Sequence, residues 1–270
     1  MTGREWFRKE RITDDIILLD DKGQSSIYLV KGTERSLLID TGWGIGDLPG
    51  VVREFTDTPV TVVNTHGHPD HVGGNYQFDS VYIAKEDDHL LKGCFNEDDR
   101  RWAIKYVARG PYPEGFSEEE WARAKAGGII HLQEDQIFDL GNKKIEVIPV
   151  PGHSPGCIAL FDSKDRVLFT GDSIIEGDIW MYLEESEPLE VYLSSLKKLD
   201  SLSGRFDMLL PAHCRAPIPK TVISELIRGV EGILDGSIKG DYHKTFAGEG
   251  SLCRFETSGV IYNENKLTSR

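Results

Sequence analysis

The sequence predicts an α/β protein (α+β where mixed sheets are classed separately) with two β-sheets packed together and helices outside. Three observations lead there. Short apolar or alternating runs bounded by Gly, Asp and Asn recur along most of the chain, as strands joined by turns do. They fall into two roughly similar groups, before residue 85 and after residue 133, each with strands followed by helix. Two such halves cover their apolar faces most simply by stacking sheet on sheet.

Taken in order, 15–19, 26–31 and 36–39 read as three strands, the third ending at Asp40-Thr41-Gly42. A modest helical pattern occupies 46–55, and strands follow at 60–64 and 80–84. From 85 to 133 the texture turns charged and aromatic, with helices expected over 98–108 and 117–126 and Gly110-Pro111-Tyr112-Pro113 between them. Ser117 and Glu120 form an S-x-x-E capping pattern. This stretch reads as a helical insertion within a single domain spanning 1–270, and it could cover a binding site. Strands resume at 136–140, 143–149, 157–162 and 166–170, the first two joined at Gly141-Asn142 as a hairpin. Helix 189–199 places Leu189, Tyr192, Leu193, Leu196 and Leu199 on one face. A buried strand at 207–211, a helix at 220–234 and a terminal strand at 252–262 complete the chain.

Composition narrows the function classes. Hydrophobic residues are 39% and charged residues 28%, as in soluble globular proteins. The formal charge is −14, from 31 Lys+Arg against 45 Asp+Glu, and no basic stripe is visible, which argues against a nucleic-acid partner. No apolar run approaches the roughly 18 residues that suggest a membrane span. The first ten residues are charged and hold no apolar signal segment. Cys94, Cys157, Cys214 and Cys253 are scattered without a CxxC pair. A cytoplasmic protein acting on a small molecule, with no membrane partner, is expected.

The chemistry concentrates in His66-Gly67-His68-Pro69-Asp70-His71, three imidazoles and one carboxylate in six residues. That donor set suits a catalytic zinc-type ion rather than a structural thiolate site. His66 and His68 are two apart and point to one side of an extended segment. Pro69 then permits a first helical turn, which swings Asp70 and His71 to a second side. Three further candidates each follow an apolar strand at a Gly- or Pro-rich turn: His153, Asp172 and His213. Seven nitrogen and oxygen donors suffice for two ions sharing one carboxylate. His89, His131 and His243 lack such a setting and read as ordinary core or surface histidines.

With these residues in place, the chain resembles the metallo-β-lactamase-fold hydrolase superfamily. Its HxHxDH motif is matched by His66, His68, Asp70 and His71, and its later ligands by His153, Asp172 and His213 in the same order. The resemblance implies a four-layer αββα sandwich. It implies one ion on His66, His68 and His153, a second on Asp70, His71 and His213, and Asp172 bridging them. Zinc is the expected metal, with iron or manganese as alternatives. Asp70 would double as a catalytic group, orienting a hydroxide shared by the ions or carrying a proton to the leaving atom. Asp40 resembles a position that supports a ligand.

The implied activity is hydrolysis of an ester-type bond: a carboxylic ester, thioester or lactone. Phosphodiester hydrolysis and a non-hydrolytic oxidoreductase or binding role are the alternatives. Asp172 argues against a β-lactamase, and Ile175 departs from the tyrosine usual in homoserine-lactone lactonases. A glyoxalase II would carry a basic C-terminal helical domain, not expected here. Trp102, Tyr106, Tyr112, Trp180 and Tyr182 are the expected substrate-contacting side chains, since aromatic walls suit an acyl or apolar group.

Overall fold

A computed structural model describes residues 1–214 and 216–269. The chain divides into two compact units, Met1–Glu146 and Val147–Arg270.

In the first unit, β1 (Arg8–Arg11), β2 (Ile16–Asp20), β3 (Ser26–Val30) and β4 (Ser36–Ile39) form an antiparallel meander. After α1 (Leu48–Val52), β5 (Val60–Val63) joins β4 in parallel. Then come α2 (Pro69–Val72) and β6 (Ser80–Ile83), followed by α3 (Asp88–Gly93), α4 (Glu97–Tyr106) and α5 (Glu118–Arg123). The chain returns as β7 (Gly128–His131), parallel to β6, so the sheet runs β1 to β7 in sequence order. β3 and β4 are buried along their whole length, which is why they read as nearly continuous apolar runs. The switch to parallel pairing decides where the site lies. Ile39 of β4 is opposite Val63 of β5, so the residues following both strands emerge at one sheet edge.

Two strands of this unit lay outside the expectations. β1 is fully exposed and built of Arg, Lys and Glu, so it has no apolar signature; its backbone pairing with β2 alone defines it. Its charges suit an exposed sheet edge. β7 falls inside the stretch read as helical and is likewise defined by its pairing with β6. The α5 start is as expected: Ser117 Oγ accepts the Glu120 N–H at 3.2 Å. β8 (Ile137–Asp139) and β9 (Lys144–Pro149) form the expected hairpin, with Gly141 at φ +95° in its turn.

β9 carries the chain into the second unit. There, β10 (Ile158–Asp162) pairs antiparallel with β11 (Val167–Gly171). After β12 (Gly177–Met181) and α6 (Leu189–Ser201), β13 (Met208–Pro211) joins β11 in parallel, and β14 (Ile218–Pro219) closes that edge. α7 (Thr221–Leu234) leads to β15 (Asp241–Lys244), β16 (Glu249–Arg254) and β17 (Ser258–Tyr262), which with β12 form a separate sheet, ordered β12-β17-β16-β15. The single terminal strand expected over 252–262 is thus two strands. They fold back on each other at a turn whose Thr257 and Ser258 N–H groups donate to Glu225 of α7, a contact invisible to local pattern. α6 buries Leu189, Tyr192, Leu196 and Leu199, the face its periodicity predicts. Gly171 of β11 is opposite Pro211 of β13, so Asp172 and the segment leading to His213 also leave one sheet edge side by side. Among the described residues, no helix is long and apolar enough to cross a membrane.

Candidate metal centre

The donors of the first unit are oriented by a chain of hydrogen bonds that starts at Asp40. Its carboxylate accepts the Thr65 N–H and the Thr65 hydroxyl, both at 2.7 Å, and lies 3.0 Å from His71 Nδ1. A carboxylate only accepts, so Nδ1 of His71 carries the proton and Nε2 keeps its lone pair. The Thr65 hydroxyl gives its one proton to Asp40, so the bond of 3.1 Å between Thr65 Oγ1 and His66 Nδ1 must be donated by the imidazole. His66 Nε2 is therefore also a lone-pair donor. It faces His68 Nδ1 at 3.1 Å, and His71 Nε2 lies 3.6 Å from Asp70 Oδ1. His66 and His71 are fully buried.

The backbone of the motif is held from several directions. The His71 carbonyl accepts from the Thr41 N–H, the Thr41 hydroxyl and Asn64 Nδ2. Gly67, between the two histidines, donates its N–H to Asp87 at 2.8 Å and takes the Cys94 thiol on its carbonyl at 3.2 Å. Asp87 is fully buried yet sits in Lys85-Glu86-Asp87-Asp88, which reads as a solvated charge run; no local signal marks it. Arg100 of α4, buried against Trp121 with its Cζ 3.8 Å from the ring centroid, points its guanidinium at the Gly73 carbonyl. Burial lowers its pKa to about 10. The stretch 85–133 thus supplies supports for the motif loop.

In the second unit, the Trp180 carbonyl accepts from His153 Nδ1 at 2.7 Å, which leaves His153 Nε2 as the lone-pair nitrogen. Asp172 Oδ2 stands 3.5 Å from His153 Nε2 and 3.2 Å from His213 Nε2. One carboxylate oxygen therefore faces both imidazoles. Gly152 is packed so closely on Tyr192 that a Cβ would come within 2.7 Å of its ring. Cys157 Sγ lies 3.3 Å from the Ser154 N and 3.1 Å from its hydroxyl, closing the turn that carries His153. Burial, then the charges of Glu176, Asp172 and Asp178, raises the pKa of the Cys214 thiol.

These donor sets fit a metal. Two nitrogen or oxygen ligands on a tetrahedral zinc lie about 3.3 Å apart; the His66–His68 nitrogens are 3.1 Å apart, and the three imidazole–carboxylate pairs are 3.6, 3.5 and 3.2 Å apart. Imidazole and carboxylate admit zinc, iron and manganese alike.

Trp102 and Tyr106 are exposed on α4 and pack on each other at 5.7 Å. Tyr112 donates its hydroxyl to the Ile104 carbonyl at 2.8 Å and its ring meets Phe116 and Trp6. The Trp180 and Tyr182 rings are tilted against each other with centroids 5.7 Å apart, and the Trp180 carbonyl is the His153 anchor. His131 lies 3.4 Å from Asp88. His89 belongs to α3 and His243 to β15.

A mixed α/β fold with His/Asp donors at the carboxyl ends of its strands defines a class, the metal-binding hydrolases of one superfamily. Residues 20–213 match the model of the Metallo-beta-lactamase superfamily, and the chain belongs to it. It is 29% identical over 233 residues to the acyl-coenzyme A thioesterase MBLAC2 of Bos taurus, covering 79% of this chain and 83% of that one. It is 26% identical over 162 residues to the hydroxyacylglutathione hydrolase GloC of Haemophilus influenzae, covering 58% and 69%. Among solved structures it is similar to TTHA1623 in a di-iron-bound form, with a TM-score of 0.55 and 27% identity over 76% of this chain and 94% of that one. The fold class expected from the sequence is that of the family, and the protein is a metal-dependent hydrolase.

Proposed function

We propose that this hydrolase cleaves thioesters at a two-ion centre, with His66, His68 and His153 on one ion, Asp70, His71 and His213 on the other, and Asp172 between them. The observation that carries the reading is the tautomer control: Asp40, Thr65 and the Trp180 carbonyl leave His66, His71 and His153 each with a lone pair at Nε2. The thioester class is supported by the relatives, a thioesterase over 79% of the chain and a hydroxyacylglutathione hydrolase over 58%. Bound divalent ions supply an activated water at neutral pH and polarise an acyl carbonyl. Asp70 orients the attacking water. The leaving group is a thiolate whose conjugate acid has a pKa near 8.5, so it departs with little help from an acid. Zinc is the first expectation for the metal; the di-iron form of a relative makes iron the alternative. Trp102 and Tyr106 are candidates to meet substrate from segment 85–133 as a cover.

Purified protein assayed on acyl-CoA, p-nitrophenyl esters, lactones and bis-p-nitrophenyl phosphate tests this. The highest kcat/KM is expected on acyl-CoA, with metal analysis giving close to two equivalents. Preference for the phosphodiester, or a single equivalent at full activity, would overturn the reading.

A further inference from the structure

Three aromatic side chains of the second unit form a ledge beside His153. Trp180 meets Tyr182 at a centroid distance of 5.7 Å and Phe246 at 5.3 Å, the latter edge-on at 62°. Phe246 is 64% exposed. It occupies Thr245-Phe246-Ala247-Gly248, the turn between β15 and β16, where small polar residues are usual. A lone exposed aromatic needs no explanation. This one is held by a constructed turn. The Thr245 N–H donates to the Gly248 carbonyl at 2.8 Å, and the Ala247 N–H donates to Thr245 Oγ1 at 3.0 Å. The Thr245 and Tyr182 hydroxyls are hydrogen-bonded to each other. Gly248, at φ +149°, lies so close to Tyr182 that a Cβ would stand 3.2 Å from its ring. The turn is therefore tied to Tyr182, and Phe246 is kept next to Trp180 with a free face. The same Trp180 holds His153 through its carbonyl at 2.7 Å.

We propose that Phe246 and Trp180 form the surface that receives the acyl chain of the substrate, a linear chain of medium to long length. The proposal rests on the thioesterase reading. An apolar ledge that includes the residue anchoring His153 would cover methylenes that extend away from the reacting carbonyl and leave an acetyl group untouched.

Acyl-CoA substrates from two to twelve carbons test it on the metal-loaded enzyme. For Phe246→Ala, kcat/KM on decanoyl-CoA should fall about tenfold through KM, the equivalent of roughly two buried methylenes. Acetyl-CoA should change less than about twofold on the same basis. Phe246→Leu should keep most of the decanoyl rate. A second arm measures binding of the non-hydrolysable S-decyl-CoA thioether to metal-free protein by tryptophan fluorescence; Phe246→Ala should weaken it similarly. Equal losses on acetyl and decanoyl substrates, or unchanged thioether binding, would overturn the proposal. So would a variant that lost only binding to phospholipid vesicles, which would assign Phe246 to a membrane surface. Wild-type protein inactive on every thioester would refute the thioesterase reading instead, and the thioether arm would still decide on the ledge.

Discussion

Asp40 shows how much one side chain sets. It lies at φ +65°, a left-handed conformation that Asp tolerates better than most residues, and this aims its carboxylate at both Thr65 and His71. Asparagine there would present an N–H₂ group to donors that need an acceptor. Asp40→Asn should weaken metal binding by about 10- to 100-fold in chelator competition; unchanged affinity would remove Asp40 from that role. Asp21 behaves differently. Burial raises its pKa from 3.8 to about 6, although it accepts the Trp6 indole N–H and the Trp43 N–H. A folded pKa above the unfolded one means that the folded state holds the proton more tightly. This contribution to stability is full below about pH 4 and is lost as pH rises through about 6. Thermal denaturation from pH 4 to 7 should show that decline. Asp21→Asn should abolish it while costing about 1–3 kcal/mol, because its amide N–H₂ meets a donor. A decline of equal size in the variant would assign it to other groups.

At the scale of elements, the loop His66-Gly67-His68 depends on its neighbours. A Cβ on Gly67 would lie 2.6 Å from Leu90 Cβ of α3, so Gly67→Ala must displace a helix. We expect a loss of about 1–3 kcal/mol in stability, as for overpacking elsewhere, together with weaker metal binding. Ser117→Ala, which removes only the α5 cap, should cost about 1 kcal/mol and leave metal affinity unchanged. If both variants bound metal like wild type, the α3 contact would have no bearing on the site. The elements legible beforehand are those with burial written into their periodicity, such as β3, β4 and α6. β1, β7, β12 and β15 were not legible. β1 has no buried residue at all, and β12 mixes Gly177 and Asp178 with Ile179 and Met181. Their identity lies in which backbone they pair with.

For the whole molecule, the seven expected donors are divided between two compact units, His66, His68, Asp70 and His71 in one and His153, Asp172 and His213 in the other. If both sets serve the same ions, His68→Ala and Asp172→Ala should each lower metal content and activity together. Metal analysis showing full occupancy in both variants would refute the shared centre. Removing metal with a chelator should also lower Tm, since whatever binds only the folded state stabilises it.

The sequence by itself determined the family and singled out the candidate donors and their order, because metal coordination demands particular side chains at particular spacings and leaves them readable without coordinates. It also determined the capping of α5 and the buried face of α6, which are local or periodic. Only the tertiary structure decided which imidazole nitrogen carries the proton, through Asp40 and the Trp180 carbonyl, that Asp87 supports Gly67, and that Phe246 stands beside Trp180. Each of these joins residues distant along the chain, and a hydrogen bond or ring contact of that kind leaves no trace in local composition or periodicity.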